Sequence, residues 1–186
     1  TANRYFGGGY GDFSVIEDQA GEFLYFLFST YPKDESGQGV AFARIARTHL
    51  SNPVGNVHAF HEGRWEEPSL GGRATASFQP SKGWHRPDAQ VFWGPSIHWN
   101  RDLKSYVVLL NRTSDSGWAQ EGIYIAFNPR IEDPQGWTEP VKILDTRDWY
   151  PQVIGTDVDT RETDRTAGNR ARLFVKGRSS WEIEFR

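Results

Sequence analysis

Three carboxylates and one aromatic-rich loop stand out as groups that could move a proton or grip a ligand. Asp12 closes the glycine-rich stretch Gly7-Gly8-Gly9-Tyr10-Gly11-Asp12 and immediately precedes an apolar run. A carboxylate there can act as a general base or accept a hydrogen bond from a ligand hydroxyl; the alternative is an aspartate that caps a tight turn. The second place is Gly83-Trp84-His85-Arg86-Pro87-Asp88-Ala89-Gln90-Val91-Phe92-Trp93-Gly94, the densest polar-aromatic cluster in the chain. Trp84 and Trp93 offer flat faces to a ligand ring, while His85, Arg86 and Asp88 offer hydrogen-bonding groups beside them. Arg86 and Asp88 can equally form a local ion pair that holds the loop. His98 follows closely, either pointing at the same ligand space or serving as a hydrogen-bonded core residue. The third place is Trp118-Ala119-Gln120-Glu121-Gly122, where Glu121 is the expected general acid, with a solvated turn glutamate as its alternative.

Other patterns carry less. Asp157, Asp159, Glu162 and Asp164 crowd one loop and raise a calcium site of oxygen ligands, but without the glycine of an EF-hand a solvated acidic loop is favoured. No cofactor is otherwise expected. No His/Glu arrangement has zinc spacing. The triple glycine does not lie between a strand and a helix, so it is not a phosphate loop. Asn111-Arg112-Thr113 matches a glycosylation sequon at a strand end. The 186 residues carry a net charge of −3 and no basic cluster, which argues against a nucleic-acid partner. The longest apolar run, Phe23 to Phe28, is too short to span a bilayer, and no membrane partner is expected. There is no cysteine, so no disulfide. Although the hydrophobic share is 37%, aromatic residues make up 15%, and large rings bury much area each.

The elements that must position these groups repeat along the chain. Asp12-Phe13-Ser14-Val15, then Phe23-Leu24-Tyr25-Phe26-Leu27-Phe28-Ser29, then Gly39-Val40-Ala41-Phe42-Ala43-Arg44, then Trp65-Glu66-Glu67-Pro68 form one unit. Gly94-Pro95-Ser96-Ile97, Tyr106 to Asn111, Gly122 to Asn128 and Trp137-Thr138-Glu139-Pro140 form a second. A third runs through Tyr150-Pro151-Gln152-Val153, Ala171 to Lys176 and Trp181 to Phe185. Short runs rich in Val, Ile, Phe and Tyr, punctuated by Gly, Pro, Asp and Ser, are strands and turns. The fold class is all-β, and four antiparallel strands per repeating unit is the pattern of β-propeller blades. The units span roughly 10–70, 90–145 and 149–186 of a single partial propeller domain. Inner strands are expected at Phe13–Glu17, Ser96–Trp99 and Gln152–Ile154, and second strands at Glu22–Ser29, Ser105–Asn111 and Ala171–Gly177. Third strands are expected at Gly39–Ile45, Gly122–Phe127 and Trp181–Phe185, and fourth strands at Arg64–Pro68 and Trp137–Ile143. Trp65 and Trp137 occupy matching places and are expected to cap the gap between blades. Ala43 to Leu50 is the nearest approach to a helix.

In such a repeat Asp12, Gly94 and Tyr150 open the three inner strands, and the loop around Arg86 reaches the same rim. About three blades do not close a ring, so either preceding blades or self-association is expected to cover the exposed faces. Leaving about 400 Å² of apolar surface wet forfeits on the order of 10 kcal/mol of gross burial.

The unit Asp12-Phe13-Ser14-Val15 followed by Gly21-Glu22-Phe23-Leu24-Tyr25-Phe26-Leu27-Phe28-Ser29, echoed by Gly122-Ile123-Tyr124-Ile125-Ala126-Phe127-Asn128 with Trp137 downstream, resembles the blades of five-bladed propeller glycoside hydrolases. These include glycoside hydrolase family 43 and its arabinanase and levansucrase-like relatives. The resemblance implies a carbohydrate partner, five blades, and hydrolysis by a carboxylate pair, with a third carboxylate tuning the acid. For inversion the pair is separated by about 6.5–9.5 Å. Only Asp12 matches a family position, that of an aspartate opening an inner strand. Gly94 and Tyr150 stand there in the other units, and the acid, Glu121 or Asp88, is a placement made on this chain alone. The competing expectation is a glycan-binding or scaffold propeller that does not cut. An extracellular or periplasmic location goes with a carbohydrate partner.

Overall fold

The computed structural model describes residues 10–68 and 73–186; the glycines at 7–9 lie outside them. The architecture is all-β, made of curled antiparallel sheets of the propeller-blade kind. The first sheet has the order β1-β2-β3-β4-β5, from Tyr10–Glu17, Phe23–Thr30, Gly39–Ala46, Val57–His61 and Arg64–Pro68. The second is built on β6 (Phe92–Asn100), β7 (Ser105–Thr113), β8 (Gln120–Asn128) and β9 (Val141–Leu144), and the third on β10 (Pro151–Gly155), β12 (Arg170–Val175) and β13 (Arg178–Glu184). The short β11 (Thr166–Ala167) leaves the third unit to pair in parallel with β6, Thr166 opposite Trp99. The acidic connection 155–169 is therefore also a latch between the second and third sheets.

Inner, second and third strands fall where the repeat places them. The outer edge differs. Arg64–Pro68 is the fifth strand of its sheet, because Val57–His61 intervenes and turns back through Glu62 and Gly63, both left-handed with φ of 47° and 84°. Two histidines dilute the apolar signal of that strand. The expected strand Trp137–Ile143 is shorter: β9 begins at Val141, and Trp137 lies ahead of it in a loop. Within Ala43–Leu50, β3 continues to Ala46 and a single 3-10 turn, Arg47–His49, follows.

Alternation along the second strands assigns their faces. In β7, Tyr106, Val108 and Leu110 join the core against the first sheet, with Ile16, Tyr25, Leu27, Val40 and Phe42 opposite. Val107 and Leu109 face the other way, onto Val153, Ala171, Leu173, Val175 and Phe185 of the third sheet. Successive side chains point to opposite faces of a strand, so a strand covered on both sides reads as an unbroken apolar run. Trp65 and Trp137 both pack onto the core between the first and second sheets, the capping role expected of them. Trp65 contacts Tyr25 and Phe60, with ring centroids 5.6 and 5.2 Å away, and Trp137 contacts Phe42 and Phe78 at 5.8 and 5.6 Å.

The two outer faces of the stack are unlike. On the first sheet, Phe13 stands opposite Phe28 and Val15 opposite Phe26, and Phe13 is 72% exposed. On the third, the corresponding alternation of β12 turns Arg170, Arg172 and the half-buried Phe174 outward. The first sheet's outer face is the more apolar of the two; the third's mixes two arginines with Phe174.

Candidate functional site at the inner-strand rim

The residues that open the three inner strands share an unusual backbone. Asp12, Gly94 and Tyr150 all have positive φ, at 23°, 55° and 59°. Such angles are rare for residues other than glycine and gather at functional sites. At Asp12 the β1–β2 pairing slips between Gly11 and Phe13, and at Gly94 the β6–β7 pairing slips between Trp93 and Ser96. Bulges of this kind re-aim a side chain at the end of a strand.

Gly94 and Tyr150 are each tied to the sheet before them by the same device. Ser29, opposite Gly11 at the end of β2, accepts a hydrogen bond from Gly94 N at 2.8 Å. Asn111, opposite Trp93 at the end of β7, accepts one from Tyr150 N at 3.1 Å. The Asn111 amide also donates to the Trp93 and Gly94 carbonyls at 3.3 and 3.0 Å, and Gln120 Nε2 donates to its oxygen at 3.3 Å. Asn111 is completely buried, so the sequon it begins is closed to a glycosylating enzyme in the folded chain.

These ties bring the rim together. The Tyr150 hydroxyl donates to Asp12 Oδ1 at 3.4 Å. Burial raises the Asp12 carboxyl above its ordinary range, and the Tyr150 hydrogen bond only partly offsets it. Behind them runs a continuous aromatic wall. Trp93 meets Tyr150, Trp149 and Trp118, with centroids 5.8, 6.0 and 5.2 Å apart. Trp118 then stacks on Trp84 at 3.8 Å, and Tyr31 packs on both. The tryptophan-rich segment and Asp12 thus belong to one end of the molecule.

The remaining expected site residues divide. Trp84 and Trp93 are buried, at 9% and 3% exposure, so they build the wall and leave Trp118, Trp149 and Tyr150 nearer its surface. Asp88 is exposed, 2.6 Å from Lys82 Nζ and 3.4 Å from Arg86 Nε. The Lys82 hydrogen bond chiefly holds its carboxyl below the ordinary range, which suits an ion pair bracing the loop and not an acid. His85 and Arg86 are exposed on the same loop. Glu121 accepts from the Tyr124 hydroxyl at 2.7 Å and pairs with Lys142 at 2.9 Å and Arg112 at 3.0 Å. Burial raises its carboxyl, but those partners outweigh burial and the net shift is downward. It is held ionised, opposite to the need of a general acid. Gln120 is the side chain that turns toward Asn111, while Glu121 is the extra residue of a bulge, since Thr113 pairs with Gln120 and Arg112 with Gly122.

His98 is 1% exposed, packs on Phe185 at 5.6 Å, and its Nε2 makes no hydrogen bond with a protein group. It is a core residue without the hydrogen bond expected of one. Burial pushes its pKa down to about 4. In the unfolded chain the imidazole titrates near 6.5 and takes up a proton that the fold refuses. Stability is therefore expected to fall as pH drops from about 6.5 through about 4, by about 3 kcal/mol when complete. Urea midpoints across that range check this, and His98→Gln should remove that component.

In the acidic loop, Arg101 Nη2 lies 3.0 Å from both Asp157 Oδ2 and Glu162 Oε1. The Thr156 and Asp157 amides donate to Glu162 Oε2 at 2.9 and 3.0 Å, while Asp159 and Asp164 are exposed. Among the described residues no group of three or more acidic or histidine side chains is arranged to hold a metal ion, and no helix is long and apolar enough to cross a membrane.

No family model and no curated protein matches the sequence. Among solved structures the chain is similar to the exo-β-1,3-galactanase of Phanerochaete chrysosporium, determined with galactose, at 11% identity and a TM-score of 0.46. The likeness covers 88% of this chain and 34% of that enzyme, so the chain spans about a third of its length.

Proposed function

We propose that this chain supplies blades of a five-bladed propeller of the glycoside hydrolase family 43 kind, whose rim takes a carbohydrate. In this reading Asp12 is the base that receives a proton from a water or a sugar hydroxyl. The observation that carries it is the meeting of Asp12 with Tyr150 at three equivalent left-handed strand openings, in front of an aromatic wall. A half-buried carboxylate with a raised pKa has a driving force for proton transfer that an exposed one lacks. Ring faces beside hydrogen-bonding groups are what a sugar, apolar on its faces and polar at its edges, requires.

Hydrolysis also needs a second carboxylate facing Asp12. Glu121 and Asp88 are each engaged in ion pairs of their own, which favours a second reading, glycan binding without cleavage. The test is to assay the protein for sugar release from arabinan, xylan, galactan and fructan, and for binding of their oligosaccharides. Asp12→Asn is expected to cut release by about a hundredfold with folding intact. Unchanged release removes Asp12 from the mechanism. Binding without release in the wild type selects the binding module, and neither binding nor release overturns the carbohydrate reading.

A further inference from the structure

The far ends of the same strands enclose a second cavity. Where β1 and β6 finish, a cleft of about 380 Å³ opens between the first and second sheets, lined by Asp18, Trp99, Tyr106, Tyr25, Arg44 and Glu132 among others. Six residues of extended chain separate Asp12 from Asp18, about 20 Å, so this cleft and the Asp12 rim are different places.

Arg44 forms one wall. Its guanidinium lies 4.4 Å from the Phe23 ring centroid and 4.5 Å from that of Trp65, held between two ring faces. A guanidinium fixed this way lines the cleft with N–H donors and gives up little freedom on binding. Acceptors line the same cleft. Asp18 uses Oδ1 to hold the Glu22 and Phe23 amides of its own turn, at 2.8 and 3.3 Å, leaving Oδ2 for a ligand. Glu132 is exposed at the mouth. Trp99 stands edge-on to Tyr106, centroids 4.8 Å apart, and is half-buried, so the cleft has an aromatic surface as well.

The charges select the ligand. An anion drawn by Arg44 meets the carboxylates of Asp18, Glu22 and Glu132, and a cation drawn by those carboxylates meets Arg44. A neutral ligand whose hydroxyls both donate and accept, on a ring with an apolar face, satisfies both walls. The geometry points to a second carbohydrate site at the end of the sheets opposite Asp12, taking one or two neutral sugar units. It rests on its own lining and stands or falls apart from the activity proposed for the rim.

The test is a titration of the isotope-labelled chain with neutral di- and trisaccharides of xylose, arabinose, galactose and fructose, followed by NMR. A glucosamine disaccharide serves as cationic probe and a galacturonate disaccharide as anionic probe. A neutral saccharide is expected to shift the Trp99 indole N–H and the Gln19 amide. Arg44→Gln should weaken that binding about tenfold, and Asp12→Asn should leave it unchanged. If Arg44→Gln fails to fold, Glu132→Gln at the exposed mouth takes its place, with about a threefold loss expected. No shift at Trp99 with any neutral saccharide at millimolar concentration overturns the proposal. So does tighter binding of a charged probe, or a Trp99 shift that disappears in Asp12→Asn. Failure of sugar release alongside a Trp99 shift removes hydrolysis at the rim and leaves this site standing.

Discussion

Asn111→Ala is expected to lower the unfolding free energy by about 4 kcal/mol, a shift of about a thousandfold in the folding equilibrium. The side chain is completely buried and makes four hydrogen bonds, to the Trp93 and Gly94 carbonyls, the Tyr150 amide and the Gln120 side chain. Truncation leaves the Trp93 and Gly94 carbonyls without this donor in a dry interior, while Gln120 keeps its bond to Gly122 O and Tyr150 is half exposed; an unmet buried polar group costs about 1–3 kcal/mol. Ser29→Ala removes one bond at the equivalent joint and is expected to cost about 1 kcal/mol. The contrast between the two, read by urea denaturation, is the check. Equal small losses would mean that Asn111 is not the tie between the second and third units.

Gly39→Ala is expected to be as damaging, about 4 kcal/mol, for a different reason. At φ of 120° an L side chain is strained, and a Cβ there would run into the carbonyl of Phe78. That carbonyl is backbone and cannot swing away, since it accepts from Val40 N at 3.3 Å while the Ser77 amide donates to Val40 O at 2.9 Å. Moving it would pull residues 77–78 from the edge of β3 and uncover Phe78, which fills the main core. Gly63→Ala is the comparison: it shares a positive φ but has nothing within 4 Å of the added carbon, so its cost is confined to backbone strain of about 1 kcal/mol. Similar losses at both positions would show that the Phe78 contact is unimportant.

The repeat made the second strands legible, because unbroken runs such as Tyr106–Leu110 arise only where both faces are covered. It also made the rim legible: Asp12, Gly94 and Tyr150 can be aligned by eye, and the chain brings their sites together. What could not be read was orientation within a pair of residues. Glu121 and Gln120 differ by one position, and only the pairing register of β7 with β8 decides which turns toward Asn111. Nor could burial of Trp84 and Trp93 be read, because the rings that cover them, Trp118, Tyr31 and Trp149, come from three separate stretches of sequence. In the sequence Tyr150 stands in place of Asp12; its hydroxyl reaching back to that carboxylate is a fact of curvature, which a linear alignment does not contain.

The joints at Ser29 and Asn111 have one more bearing, on how such a chain can change. Pro68 is followed by β6 only at Phe92, whereas Leu144 is followed by β10 already at Pro151. Both routes deliver the next strand to the same clasp, because the docking point belongs to the sheet already in place and not to the tether that arrives there. Insertions and deletions in those tethers are thereby uncoupled from the spacing of Asp12, Gly94 and Tyr150, and the outer edges are free to diversify while the inner strands keep their gauge.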